Sequence, residues 1–216
     1  MLTDRIKEAY DELSLLIDSE NRVELNCGRY LGFVNHVLIS GVSIDEEYCV
    51  KEYRCHSGSV DYIVSSRMFD DTGVPVSKAY IWELKAPQCY VFELDDNTER
   101  VRPTPDLVKA ENQLVNYYDE VKNTNSFLEE FNITHPENVK IGGVIIGSPK
   151  TYVKQVGEPK KTKLFNRGRR IRERYFYSAS NIRLCTWEFV LIAMQGLMNQ
   201  VVHLGERLDS PGSGLL

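Results

Sequence analysis

The chain has 216 residues, of which 42% are apolar and 26% charged, the size and proportions of one well-packed globular domain. No run of about eighteen apolar residues occurs, which excludes a spanning helix, and Met1-Leu2-Thr3-Asp4-Arg5 lacks the apolar stretch of a secretory signal. Net charge is −5, and the five cysteines are scattered without CxxC spacing, which argues against a zinc site or disulfide framework and for a reducing, cytoplasmic setting.

Thr3 is an N-cap for a first helix whose apolar residues Ile6, Tyr10, Leu13 and Ile17 recur at helical spacing. From residue 20 to 40 the pattern Val23, Cys27, Leu31, Val34, Leu38 suits a second helix, weakened by Gly28 and Gly32. Residues 47–54 alternate as a strand, His56-Ser57-Gly58 makes a turn, and an apolar strand follows with Asp61 near its start. Asp70 to Pro75 reads as a hairpin loop and residues 78–84 as the return strand, ended by Ala86-Pro87. A polar connection over 93–104 leads to a helix from Pro105 to about Lys122, with its seam at Leu107, Ala110, Leu114, Tyr117 and Val121 and with Gln113 beside it. Residues 140–147 are a buried strand, 158–174 a basic loop, 182–187 a final strand and 188–203 an apolar helix. This order predicts a single α/β sandwich with a mixed central sheet: a helical part over 1–44, a core over 45–204 and a disordered tail over 209–216.

Chemistry concentrates at the end of the 78–84 strand. Glu83 and Lys85 are two apart, so they project from the same face of an extended chain. Charges at the end of an apolar strand are costly unless they are paired or bind metal. If the Asp61 strand pairs with this one, Asp61 and Glu83 can share a divalent cation, and all-oxygen ligands suit Mg²⁺ or Mn²⁺. Lys85 would then orient an attacking water or stabilise charge on a phosphate. The bland alternatives are a turn carboxylate for Asp61 and a sheet-edge ion pair for Glu83 and Lys85. His36, His56, His135 and His203 have no partner at metal-ligand spacing, and no GK[ST] phosphate loop or GxSxG elbow occurs.

This D…ExK arrangement resembles the catalytic core of the PD-(D/E)XK nuclease superfamily. The run Trp82-Glu83-Leu84-Lys85-Ala86-Pro87, then a helix with Gln113, Tyr117 and Tyr118, then Ile141 to Gly147, is most similar to the Shedu anti-phage nuclease family over roughly residues 45 to 200. The resemblance implies a metal-dependent deoxyribonuclease with Asp61, Glu83, Lys85 and the helical Gln113 at its centre, working in bacterial defence as a homo-oligomer. The superfamily often adds a metal-binding glutamate from an early helix, for which Glu12, Glu20 and Glu24 are all candidates, although a solvated helix face is the plainer reading of each.

The charge is uneven. Residues 158–174 hold eight Lys or Arg against two Glu, a local +6 that leaves −11 on the remainder. Lys160, Lys161, Lys163, Arg167, Arg169, Arg170, Arg172 and Arg174, interleaved with Phe165, Tyr175, Phe176 and Tyr177, suit a surface that tracks DNA phosphates. Two other readings remain at this level: a nuclease-like module that binds nucleic acid or protein without cutting, and a structural subunit.

Overall fold

A computed structural model describes residues 2–20, 24–45, 47–95, 98 and 100–209. The chain opens with α1 (Leu2–Asp18), followed by the short α2 (Glu24–Gly28) and α3 (Asn35–Leu38). Three consecutive strands come next, β1 (Tyr48–Cys55), β2 (Gly58–Phe69) and β3 (Pro75–Leu84), and then a small hairpin of β4 (Phe92–Leu94) and β5 (Val101–Pro103). The remainder runs α4 (Pro105–Lys122), α5 (Asn125–Glu130), β6 (Val139–Ile145), α6 (Lys160–Arg172), one π-helical turn (Glu173–Tyr177), β7 (Arg183–Cys185) and α7 (Trp187–Asp209).

The central sheet has the order β1-β2-β3-β6-β7. β1, β2 and β3 pair antiparallel, whereas β6 and β7 join them parallel, so the sheet is mixed. The parallel pairing of β3 with β6 requires a crossover, which α4 and α5 supply. Helices cover both faces. Ile63, Ile81 and Val144 pack with Leu107, Leu114, Phe127 and Phe165 from α4, α5 and α6. Tyr62, Val64, Tyr80 and Trp82 pack on the other face with Ile6, Leu13, Leu38 and Met194 from α1, α3 and α7. Fully burying each such side chain contributes about 1.5–3 kcal/mol.

Two glycines let β6 fit between its neighbours. The β3–β6 register shifts between Ile81 and Trp82. A Cβ at Gly142 would collide with the Trp82 indole, and one at Gly143, whose φ is 153°, with the Arg183 backbone. Arg183 in turn stacks 4.5 Å over the Trp82 ring and donates to the carbonyls of Val37 and Leu38, anchoring α3 to the sheet edge.

Several segments differ from the sequence expectation. The 20–40 stretch is no continuous helix: α2 and α3 flank a 3-10 turn, Leu31–Val34, in keeping with Gly28 and Gly32. The polar 93–104 connection contains the β4–β5 hairpin. The basic segment is helical, because Leu164, Phe165 and Gly168 form a buried stripe at helical spacing. β7 stops at Cys185, and Trp187 already belongs to α7, which extends to Asp209. The rest of the expected tail lies outside the described residues. Among those described, no helix is long and apolar enough to cross a membrane.

Candidate active site

The site is created by a local break in β2. The β2–β3 ladder runs from Phe69↔Pro75 to Tyr62↔Trp82 and stops there; one step further would set Asp61 opposite Glu83. On the other side the β1–β2 register passes from Lys51↔Tyr62 to Tyr53↔Val60 and omits Glu52 and Asp61. Glu52 is left-handed at φ 56°, an uncommon state for a residue with a side chain. Val60 packs on the α4 side of the sheet and Tyr62 on the opposite side, so β2 turns over within two residues. Asp61 sits at that turnover. Its Oδ2 accepts the Leu84 N–H at 2.8 Å, a donor that a regular ladder would offer to a carbonyl.

Leu84 lies between the two charged residues of the strand end. Glu83 is 1% exposed, and the Lys85 ammonium, on a side chain 12% exposed, stands 2.6 Å from Glu83 Oε1. Ile81, of the same parity as Glu83, packs beneath α4. The Lys85 main chain is fixed from two sides: its N–H donates to Ile145 O at 2.8 Å, and Trp187 Nε1 donates to its carbonyl at 2.7 Å. A buried ion pair held on a clamped backbone is pre-organised, because neither partner needs to be ordered on binding. The pair lies at the C-terminal ends of the parallel strands β3 and β6, the edge where open sheets of this kind bind ligands.

α4 supplies the neighbouring wall. Thr104 caps it by accepting the Leu107 N–H, and its seam packs on β3 and β6. Gln113 is half-buried, and its Oε1 is enclosed with no hydrogen-bond partner among the described residues; leaving an acceptor in that state costs about 1–3 kcal/mol. Tyr117 belongs to the core. The turn after β1 takes its cap from the same helix: the N–H groups of His56 and Ser57 and the Ser57 hydroxyl all donate to the Glu120 carboxylate. These hydrogen bonds were not foreseeable, since they join residues more than sixty apart in the chain.

The early glutamates separate. Glu12 accepts from Tyr30 at 2.6 Å and from Arg29 at 3.4 Å, a pairing at the protein surface. Glu20 follows the segment that Gln88 ties down by donating to the carbonyls of Leu16 and Ser19, each at 2.9 Å. The side chain of Glu24 lies outside the described residues. Among the described residues no group of three or more His, Cys, Asp or Glu side chains is placed to hold a metal.

The eight basic residues do not act as one set. Arg172 is turned inward: it pairs with Glu111 of α4, whose carboxylate also accepts from Tyr177, and the Arg172 and Glu111 side chains are only 14% and 12% exposed. Arg169 pairs with Glu173 at 2.7 Å, and Lys161 lies 3.8 Å from Glu158. Lys160, Lys163, Arg167 and Arg170 are exposed and fall within an arc of about 80° at 100° per residue. Arg174 continues the three- and four-residue spacing. The signal for this division was present in the sequence, in the phase of Leu164, Phe165 and Gly168 against the cations.

A cleft of about 1440 Å³ runs along β7, lined by Tyr152, Phe165, Arg169, Tyr177, Arg183 and Glu188 among others. It contains none of Asp61, Glu83, Lys85 or Gln113, so the charged strand end and this cleft are different places. No protein-family model, no curated protein and no solved structure matches the chain.

Proposed function

We propose that the chain is a metal-dependent nuclease of the PD-(D/E)XK type that hydrolyses phosphodiester bonds in DNA. One observation carries the reading: the Asp61 carboxylate is bound to the peptide N–H between Glu83 and Lys85, which are themselves paired at the end of β3. The carboxylates of Asp61 on β2 and Glu83 on β3, with the Leu84 carbonyl, are hard oxygen donors, a donor set that fits Mg²⁺, with Mn²⁺ as its substitute. The enclosed oxygen of Gln113 adds a polar atom awaiting a donor on the adjoining helix.

In this reading Asp61 and Glu83 would hold the ion. When bound, it supplies a Lewis acid for the scissile phosphate and a water of lowered pKa. Lys85 has its ammonium on Glu83, and its clamped backbone lets it orient the attacking water and balance charge that develops on the phosphate. Gln113 orients Lys85 or the phosphate, as the family resemblance implies. The wider proposal, a cytoplasmic homo-oligomer in bacterial anti-phage defence, rests on that resemblance and on the scattered, reduced cysteines.

The competing reading is a nuclease-like module that holds nucleic acid without cutting. It is favoured by the Glu83–Lys85 pair itself, which balances the buried glutamate with no cation. Plasmid incubated with Mg²⁺, then with EDTA, separates the two. We expect cleavage with Mg²⁺, none with EDTA, and a loss of at least about a hundredfold in Asp61→Asn and Glu83→Gln. Both substitutions keep the side-chain shape, and circular dichroism checks their folding. Retention of plasmid without cutting in the wild-type protein rejects the enzyme.

A further inference from the structure

The exposed side of α6 has no role in the arrangement at β3. It presents Lys160, Lys163, Arg167 and Arg170 in one stripe, and Lys163, Arg167 and Arg170 make no ion pair with a described residue. The stripe leads directly into the π-helical turn Glu173–Tyr177. Such turns are rare and occur mostly where a function needs the helix reset. This one turns Tyr177 into the core and leaves two neighbouring aromatic rings outside, Tyr175 at 68% exposure and Phe176 at 56%. The Arg174 guanidinium stands 5.5 Å from the Tyr175 ring centroid, so cation and ring already form one surface there, while the inward-turned Arg172 backs the Phe176 ring at 4.2 Å.

Large aromatic rings left in water at the end of a cationic helix are unfavourable unless something covers them. Against the acidic remainder of the chain, −11 to this segment's +6, the charge of the stripe invites a polyanion. Duplex DNA hides the faces of its bases in the stack and offers protein only their edges and its phosphates. A single strand offers phosphates and bare base faces together, which is what cations beside exposed rings recognise.

We propose that this surface is a binding platform for single-stranded nucleic acid. Lys163, Arg167, Arg170 and Arg174 track the phosphates, and Tyr175, with Phe176 beside it, stacks on unpaired bases. The platform deepens the nuclease reading by naming the form in which the substrate is gripped. Arg172 ties it to α4 through Glu111.

The test is anisotropy of a labelled oligonucleotide of about 16 nucleotides, single-stranded and as a duplex, in EDTA so that no cleavage occurs, over a salt series. We expect the single strand to bind at least about fivefold tighter than the duplex, and Tyr175→Ala to remove that preference while Tyr175→Phe keeps it. The triple variant Lys163→Gln, Arg167→Gln, Arg170→Gln should flatten the slope of log K against log salt by about 2, whereas Tyr175→Ala leaves the slope unchanged. Equal or tighter duplex binding overturns the platform, as does an unchanged slope in the triple variant or undiminished single-strand binding in Tyr175→Ala. Cleavage without single-strand preference rejects the platform alone; single-strand binding without Mg²⁺-dependent cleavage rejects the nuclease alone.

Discussion

Glu120 and Asp61 show how one carboxylate can stand in for missing backbone partners. Glu120 closes the β1–β2 turn by accepting from His56, Ser57 N–H and the Ser57 hydroxyl. Those hydrogen bonds, the Ser57 hydroxyl foremost, pull its carboxyl below the usual value of 4.5. A group whose folded-state pKa is depressed stabilises the fold above its unfolded value and loses that contribution as pH falls through the folded one. Glu120→Gln should therefore be less stable than the wild type near neutral pH, and the difference should shrink as pH drops below 4.5. Urea unfolding at about pH 7 and about pH 3 measures it, and a gap of the same size at both would refute the assignment. The sequence suggested Glu83 and Lys85 together because a spacing of two after an apolar strand is a local pattern, and Asp61 joined them through the expected pairing of its strand and the family resemblance. The break at Glu52 and Asp61 was hidden, since a left-handed glutamate inside a strand leaves no mark in composition.

At the scale of the element, α6 decides which cations are structural. It folds as a helix because Leu164 and Phe165 are buried, while Gly168 lets the helix approach Phe92 and Val101 of the β4–β5 hairpin, where a Cβ would come within 2.9 Å of Val101. Arg172 then enters a protein interior already furnished with Glu111 and Tyr177. Removing one partner of a buried ion pair leaves the other charge stranded, so Arg172→Ala should lose about 3–5 kcal/mol in urea unfolding. Arg167→Ala and Arg170→Ala, on the exposed stripe, should stay within about 0.5 kcal/mol of the wild type. Equal losses at all three positions would contradict the division of the basic segment. The segment reads as a loop when its charge is counted and as a helix when the phase of its few apolar residues is followed. α4 was legible from end to end because its seam has five buried positions in phase, Leu107, Ala110, Leu114, Tyr117 and Val121. The 24–38 region was not, because two glycines and a change of helix type interrupt the period.

Across the whole molecule, the mixed sheet gathers β3, β6 and β7 so that their C-terminal ends share one edge, and the acidic strand end lies there while the cations lie on α6. If Asp61 and Glu83 share one ion as proposed, their mutual repulsion is relieved by a divalent cation in the folded state and hardly at all in the unfolded one. A ligand at ten times its dissociation constant then stabilises by about 1.4 kcal/mol, which for a chain of this size is a rise in melting temperature of roughly 3–6 °C. We expect Mg²⁺ or Mn²⁺ to produce such a rise in the wild type and in Arg167→Gln, and to produce none in Asp61→Asn or Glu83→Gln. Monovalent salt at matched ionic strength is the necessary control, because screening alone stabilises a chain with a net charge of −5. A rise that survives both carboxylate substitutions would place the ion elsewhere on the acidic body, and Lys85 would then be only the counter-charge that lets Glu83 be buried.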